Sequence, residues 1–249
     1  MLPIENYLDS TYLKTPAQSG LSEEETYQKV LELTDEAIAN HFILVMIRPE
    51  YVKRISQYIK EKNADVLVGT VIGFHEGTYS TEHKLEEAKK AVEDGVDELD
   101  YVLNYEAFKS GEIQKVQDEF VACTKLGLDN QKLVKWIIEI AALTDVQIAE
   151  VTKSIVEWTA ENFQGQEDQI FIKSSTGFYQ TEGGKPNGAT PEGIKIMLEN
   201  AGKHPVKAAG GVRTHQEALD MIAMGVQRIG TSSAKALAGK SDEEGKAGY

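Results

Sequence analysis

Two lysines close apolar runs late in the chain: Lys173 in Gln169-Ile-Phe-Ile-Lys-Ser-Ser-Thr-Gly177, and Lys207 in Pro205-Val-Lys-Ala-Ala-Gly-Gly211. Small residues and glycine follow each run at once, where a strand would stop and a loop begin. Lysine rarely fills an interior position unless it is paired, so two at equivalent places in successive units point to chemistry. A neutral amine attacks a carbonyl to form a Schiff base, and a second cation close by helps it shed its proton. That help is needed, because at a pKa of about 10.4 roughly one lysine in 2,500 is neutral at pH 7. The plainer account is a lysine serving as counter-ion to a buried carboxylate such as Asp100 or Glu139.

The matching carboxylates lie in Val96-Asp-Glu-Leu-Asp-Tyr-Val-Leu103. Strand alternation puts Asp100, Val102 and Asn104 on one face and Asp97, Leu99 and Tyr101 on the other. An aspartate in the same layer as the lysines is what a proton-transfer site requires. Sorting other residues by strand ends adds Asp9, Thr11 and Lys14 near the N-terminus, with Lys135 and Glu139 in the fifth run. Three glycine-rich turns follow the last runs: Ser174 to Gly177, Gly210 to Arg213 and Gly230 to Ser233. Glycines let the backbone approach an anion, hydroxyls donate, and the next helices present their N-termini. Thr176, Gly177, Gly210, Gly211, Gly230, Ser232 and Ser233 are thus candidates for holding a phosphate. Any loop after a strand favours Gly and Ser, so the weight comes from three such turns in succession.

Short apolar runs alternate with amphipathic ones along the whole chain. Leu21 to Asn40 reads as a helix, with Ser22 and Glu25 forming a capping box. Runs at Phe42–Ile47, Val66–Ile72, Val96–Leu103, Lys132–Ile138, Gln169–Lys173, Val206–Ala208 and Val226–Gly230 read as strands, with helical stretches between them. Continuous apolar strands imply a parallel sheet covered on both faces. With Tyr7–Ser10 as the first strand, the pattern gives about eight βα units, the count of a closed barrel. The expectation is an α/β chain forming a single (β/α)8 TIM barrel over residues 1–239, with 240–249 a flexible C-terminal tail. An open doubly wound sheet competes, but its G-x-G-x-x-G after the first strand is absent.

The chain has 249 residues, 41% hydrophobic and 27% charged, with a formal net charge of -14. That balance argues against nucleic acid or an anionic membrane as partner, and leaves room for a small anionic substrate. The lone Cys123 cannot form an internal disulfide, which fits a reducing compartment. The N-terminus shows no basic flank followed by an apolar run, as a signal peptide would, and no apolar stretch approaches the roughly 20 residues of a membrane span. A cytoplasmic location is expected, as is a homo-oligomer, a dimer before other forms.

The motifs VDELDYVLN (96–104), VKWIIE (134–139), FIKSSTG (171–177), VKAAGGVRT (206–214) and GTSS (230–233) resemble deoxyribose-phosphate aldolase. The resemblance runs from LDSTYLK (8–14) to the final Tyr249. It implies a class I aldolase that needs neither metal nor cofactor and cleaves 2-deoxy-D-ribose 5-phosphate to glyceraldehyde 3-phosphate and acetaldehyde. Lys173 would form the Schiff base, Lys207 would lower its pKa, and Asp100 would shuttle protons. Asp9, Thr11 and Lys135 would support them, and Tyr249 would fold back over the site as a proton relay. The chain departs from that pattern at Met46, where many relatives have cysteine, at His75, where proline is usual, and at Ile140-Ala141, which replaces Thr-Gly. The loop 178–188 is several residues longer than usual, which bears on substrate range. A Schiff-base aldolase or transaldolase for another phosphosugar is the near alternative. A non-catalytic phosphosugar-binding barrel is the distant one, and it would not require two lysines and Asp100 together.

Overall fold

Capping fixes where the long helices begin. Ser22, Thr144 and Thr214 each accept a bond from the backbone three residues on, and Glu25, Gln147 and Glu217 return it. These boxes start helices at Glu23–Asn40, Asp145–Asn162 and His215–Met224. Helices at Val52–Lys62, Thr81–Glu93, Ile113–Asp129 and Pro191–Asn200 complete the outer layer. The computed structural model describes residues 3–240. The stretch 241–249, with Tyr249, lies outside them.

The strands are β1 (Leu8–Tyr12), β2 (Leu44–Ile47), β3 (Leu67–Ile72), β4 (Glu98–Val102), β5 (Leu133–Ile137), β6 (Ile170–Lys173), β7 (Val206–Ala209) and β8 (Arg228–Thr231). They close in chain order into one barrel, every neighbour pair parallel, including β1 on β8. The expected (β/α)8 TIM barrel is what forms. Outward-facing residues such as Leu99, Tyr101, Trp136, Ile172 and Ile229 pack under the helices in one apolar layer. Trp136 Nε1 keeps a partner there, donating to Thr124 Oγ1 at 2.9 Å, as a buried indole requires.

The barrel interior divides into two halves. On the β2–β5 side it is apolar, with Leu44, Met46, Val71, Val102 and Ile137 continuing up to Phe74 and Tyr105. Gly69 leaves room in that half for Met46, whose Cε would lie 2.5 Å from a Cβ there and would have to shift. Buried charges occupy other positions of β1 and β4–β8: Asp9, Glu98, Asp100, Lys135, Lys173, Lys207 and Arg228.

Strand boundaries shift by one or two residues from expectation. The first strand runs on to Tyr12 and so contains Thr11 as well as Asp9. Asn104 does not continue the Asp100 face: β4 ends at Val102, and Asn104 caps a short helix, Tyr105–Lys109, through Ala107 N. That helix and those at Pro16–Ser19 and Ala234–Leu237 are too short to show a 3.6-residue period in sequence.

Candidate active site

Parallel pairing of β6 and β7 sets Lys173 directly beside Lys207. Both reach across the barrel to one oxygen, Asp100 Oδ2, at 2.8 and 3.0 Å. The other oxygen, Oδ1, accepts from Lys135 Nζ at 2.7 Å. Lys135 also pairs with Glu98, and Lys207 with Asp9 Oδ2 at 2.5 Å. Arg228 lies between these acids. Its Nε donates to Asp9 Oδ1 at 2.7 Å, and its two Nη groups fork onto Glu98 at 3.1 and 3.2 Å. All seven side chains are buried. Four cations therefore face three carboxylates.

Asp100 is held well below the usual carboxylate range: burial alone would raise it, but Lys135, Lys173 and Lys207 outweigh that. Asp9 is lowered in the same way, against burial, by Arg228 and Lys207. The two strand-end lysines part company. Burial pushes Lys173 down to about 8 and the charge of Lys207 adds to it, while Asp100 only partly resists. Lys207 is also buried, yet Asp100 and Asp9 hold it above its ordinary value. At a pKa of about 8, on the order of one Lys173 in ten is neutral at pH 7. Sequence reasoning put repulsion between the lysines first; desolvation is the larger cause.

Glu139 lies just past β5 in a left-handed conformation, φ 56° and ψ 67°, a strained state for a residue with a Cβ. It accepts from Thr176 N at 3.1 Å and from the Thr176 hydroxyl. Burial lifts its carboxyl to about 7, against the Thr176 bonds and Lys173. Thr176 Oγ1 in turn accepts from Phe178 N at 3.0 Å, so Glu139 anchors the turn that leaves Lys173. Ser174 staples the same turn to β7, its Oγ accepting from Ala209 N at 3.0 Å.

The glycine turns meet at the β7–β8 rim. Gly177, Gly210 and Gly211 have positive φ of 80°, 68° and 79°, and Gly210 N donates to Gly230 O at 3.4 Å. The loop after β6 returns onto this rim, where Ala189 N donates to Ala209 O and Gly210 O at 3.0 and 3.1 Å. Ser233 N donates to Thr231 Oγ1 at 3.0 Å. On the apolar side Phe178 stacks on His75, centroids 5.6 Å apart, and meets Phe74 edge-on at 5.1 Å. The long loop thus contributes an aromatic wall to the mouth.

Lys173, Lys207, Asp100, Asp9 and Lys135 lie together in this cluster. Thr11 stands apart from the charges, its hydroxyl donating to Asp9 O at 2.9 Å. Lys14 makes no part of the cluster, and Asp97 instead accepts from Val68 N at 2.9 Å. Glu98 and Arg228 were missed. Glu98 shares a face with Asp100 by the same alternation, and Arg228 shares one with Gly230, so the signal was there. Among the described residues, no three His, Cys, Asp or Glu side chains group as a metal site.

Comparison with known proteins bears on this geometry. The pattern of the DeoC/LacD family aldolases matches residues 8–241. The chain belongs to that family. It is accordingly an enzyme of the lyase class. Among curated relatives, a deoxyribose-phosphate aldolase of Thermococcus kodakarensis is 39% identical over 242 residues, covering 96% of this chain and 98% of its own. A solved aldolase, QR15, superposes with a TM-score of 0.78 at 32% identity, covering 96% of both chains. A deoxyribose phosphate aldolase from Aeropyrum pernix, described as a unique tetramer, gives 0.76 at 28% identity, with 95% of this chain and 89% of that one covered. The DeoC/LacD aldolase barrel here carries its charged cluster on β1 and β4–β8, with Met46, Val71, Val102 and Ile137 forming an apolar wall beside it. No helix among the described residues is long and apolar enough to cross a membrane.

Proposed function

We propose that this protein reversibly cleaves 2-deoxy-D-ribose 5-phosphate to D-glyceraldehyde 3-phosphate and acetaldehyde through a Schiff base on Lys173. The observation that carries this is the pair of lysines on one Asp100 oxygen, of which only Lys173 is lowered. The neutral Lys173 amine adds to the aldehyde carbon of the open-chain sugar, and the carbonyl oxygen leaves as water. The resulting iminium draws electrons from the bond between carbons 2 and 3, while the carbon-3 hydroxyl gives its proton to the Asp100–Lys207 pair. Glyceraldehyde 3-phosphate departs and an enamine remains. Protonation of its terminal carbon and addition of water release acetaldehyde and restore the lysine.

In this reading Asp100 relays protons, and Lys207 stays charged to supply them. Thr176, Gly177, Gly210, Gly211, Gly230, Ser232 and Ser233 hold the phosphate at the glycine rim. Asp9 and Lys135 fix the cluster, Thr11 braces β1 at Asp9, and Tyr249 serves the enamine protonation. The names of the curated relatives support the substrate, and the lone buried Cys123 suits the cytoplasm. Assembly as a homo-oligomer, a dimer first, belongs to the same proposal.

Acetaldehyde with borohydride should modify Lys173 alone, as peptide mapping would show, and Lys173→Ala should lose cleavage entirely. Modification of another lysine, or a cleavage product other than acetaldehyde, would refute the assignment.

A further inference from the structure

Arg228 on β8 and Glu98 on β4 face each other beneath the two lysines, and neither has a place in the reaction above. Each cation of the cluster can be sorted by its carboxylates. Lys207 touches Asp100 and Asp9, Lys135 touches Asp100 and Glu98, and Arg228 touches Asp9 and Glu98. Among the carboxylates of the described residues, Lys173 touches Asp100 alone, at an oxygen it shares with Lys207. An arginine does not deprotonate in proteins, and each of the other two lysines has a second carboxylate to keep its proton. The surplus charge therefore falls on Lys173.

We propose that Glu98 and Arg228 are positioning residues for the aldol chemistry: together they hold Asp9 and Lys135 so that the cluster carries one cation more than its carboxylates, and Lys173 is the member left to give up a proton. The pair acts at a distance, through Asp9 on Lys207 and through Lys135 on Asp100. Its role rests on the Schiff-base reading above. The charged groups around Lys173 come from every neighbouring element: Asp100 on β4, Lys135 on β5, Glu139 past β5 and Lys207 on β7. Removing one charge from the pair shifts the balance by one unit without touching Lys173, Lys207 or Asp100, although Glu98 pairs directly with Lys135.

The sign of each change follows. Glu98→Gln leaves two surplus cations, so Lys173 loses its proton more readily. Arg228→Met removes the surplus, so Lys173 keeps its proton to higher pH. A role limited to packing would not move the two variants in opposite directions.

The probe is reductive labelling of Lys173 by acetaldehyde and cyanoborohydride, followed by peptide mass spectrometry between pH 6 and 10. The midpoint of labelling against pH should fall by on the order of one unit in Glu98→Gln and rise by a similar amount in Arg228→Met. The double variant restores the count and should return close to the wild-type midpoint. Should Arg228→Met fail to fold, Glu98→Gln decides by itself, since the midpoint must fall. Labelled Lys173 with an unmoved midpoint, or shifts of the same sign, would overturn the role of the pair. Absence of label on Lys173 in the wild-type protein would instead overturn the Schiff-base assignment beneath it.

Discussion

Glu139 shows how one side chain can be strained, buried and still useful. Its carboxyl is raised from 4.5 to about 7, so the folded state prefers it protonated. Its contribution to stability is fully present below about pH 4.5 and is lost as pH rises through about 7. Glu139→Gln keeps the acceptor for Thr176 and cannot ionise. Thermal unfolding should therefore show the variant more stable than wild type at pH 8, by up to roughly 3 kcal/mol, with the gap closing toward pH 4.5. Equal pH profiles would mean the carboxyl is not buried in its charged form. The strand-end lysines were legible at this scale because lysine before glycine is an unusual way to end an interior strand. Glu139 was picked out as a strand-end residue, but its left-handed backbone has no sequence mark, since that conformation usually selects glycine or asparagine.

At the scale of elements, the return of the loop after β6 onto the rim after β7 is a backbone-to-backbone contact. A Cβ at Gly188 would lie 2.5 Å from Gly210 C and 2.7 Å from Gly211 N, and one at Gly211 would lie 2.5 Å from Ala189 O. Neither neighbour is a flexible side chain that could move aside. Gly188→Ala should thus displace the loop from the proposed phosphate rim while leaving Lys173 in place. Steady-state kinetics should show KM for the phosphorylated sugar raised on the order of tenfold, about 1.4 kcal/mol of binding. Labelling of Lys173 by acetaldehyde should persist. Loss of both together would place the loop in the catalytic step. Strand identities were readable from continuous apolar runs, which a parallel sheet demands on both faces. The short helices and the exact strand ends were not, because four or five residues carry too little periodicity.

For the molecule as a whole, barrel closure brings Arg228 onto Asp9, 219 residues apart in sequence. Asp9 and Asp100 both titrate below the ordinary value of 3.8 in the fold. A depressed carboxylate contributes stability that is present above its unfolded pKa and lost as pH falls through the folded one. Acid unfolding should accordingly set in below about pH 4 and take up more than one proton. Asp9→Asn leaves Arg228 and Lys207 short of a charge. Breaking one side of a buried pair costs about 3–5 kcal/mol, so urea unfolding at pH 7 should show a loss of that order and a shallower acid limb. A variant as stable as wild type would mean that the cluster contributes chemistry and no cohesion.

The sequence by itself determined the barrel, through the count and apolar character of its strands, and it determined which lysines and which aspartate could react. Those properties are local: a strand's burial and the face its residues take depend on a few neighbours. Only the tertiary structure sets the two lysines apart electrostatically, with Lys173 lowered and Lys207 raised. Lys173 and Lys207 end similar strands with similar flanks, and both are buried. What separates them is that Lys207 finds a second carboxylate, Asp9, and Lys173 does not. That difference depends on β1 closing against β8, a contact between the two ends of the barrel that no local pattern in either segment encodes.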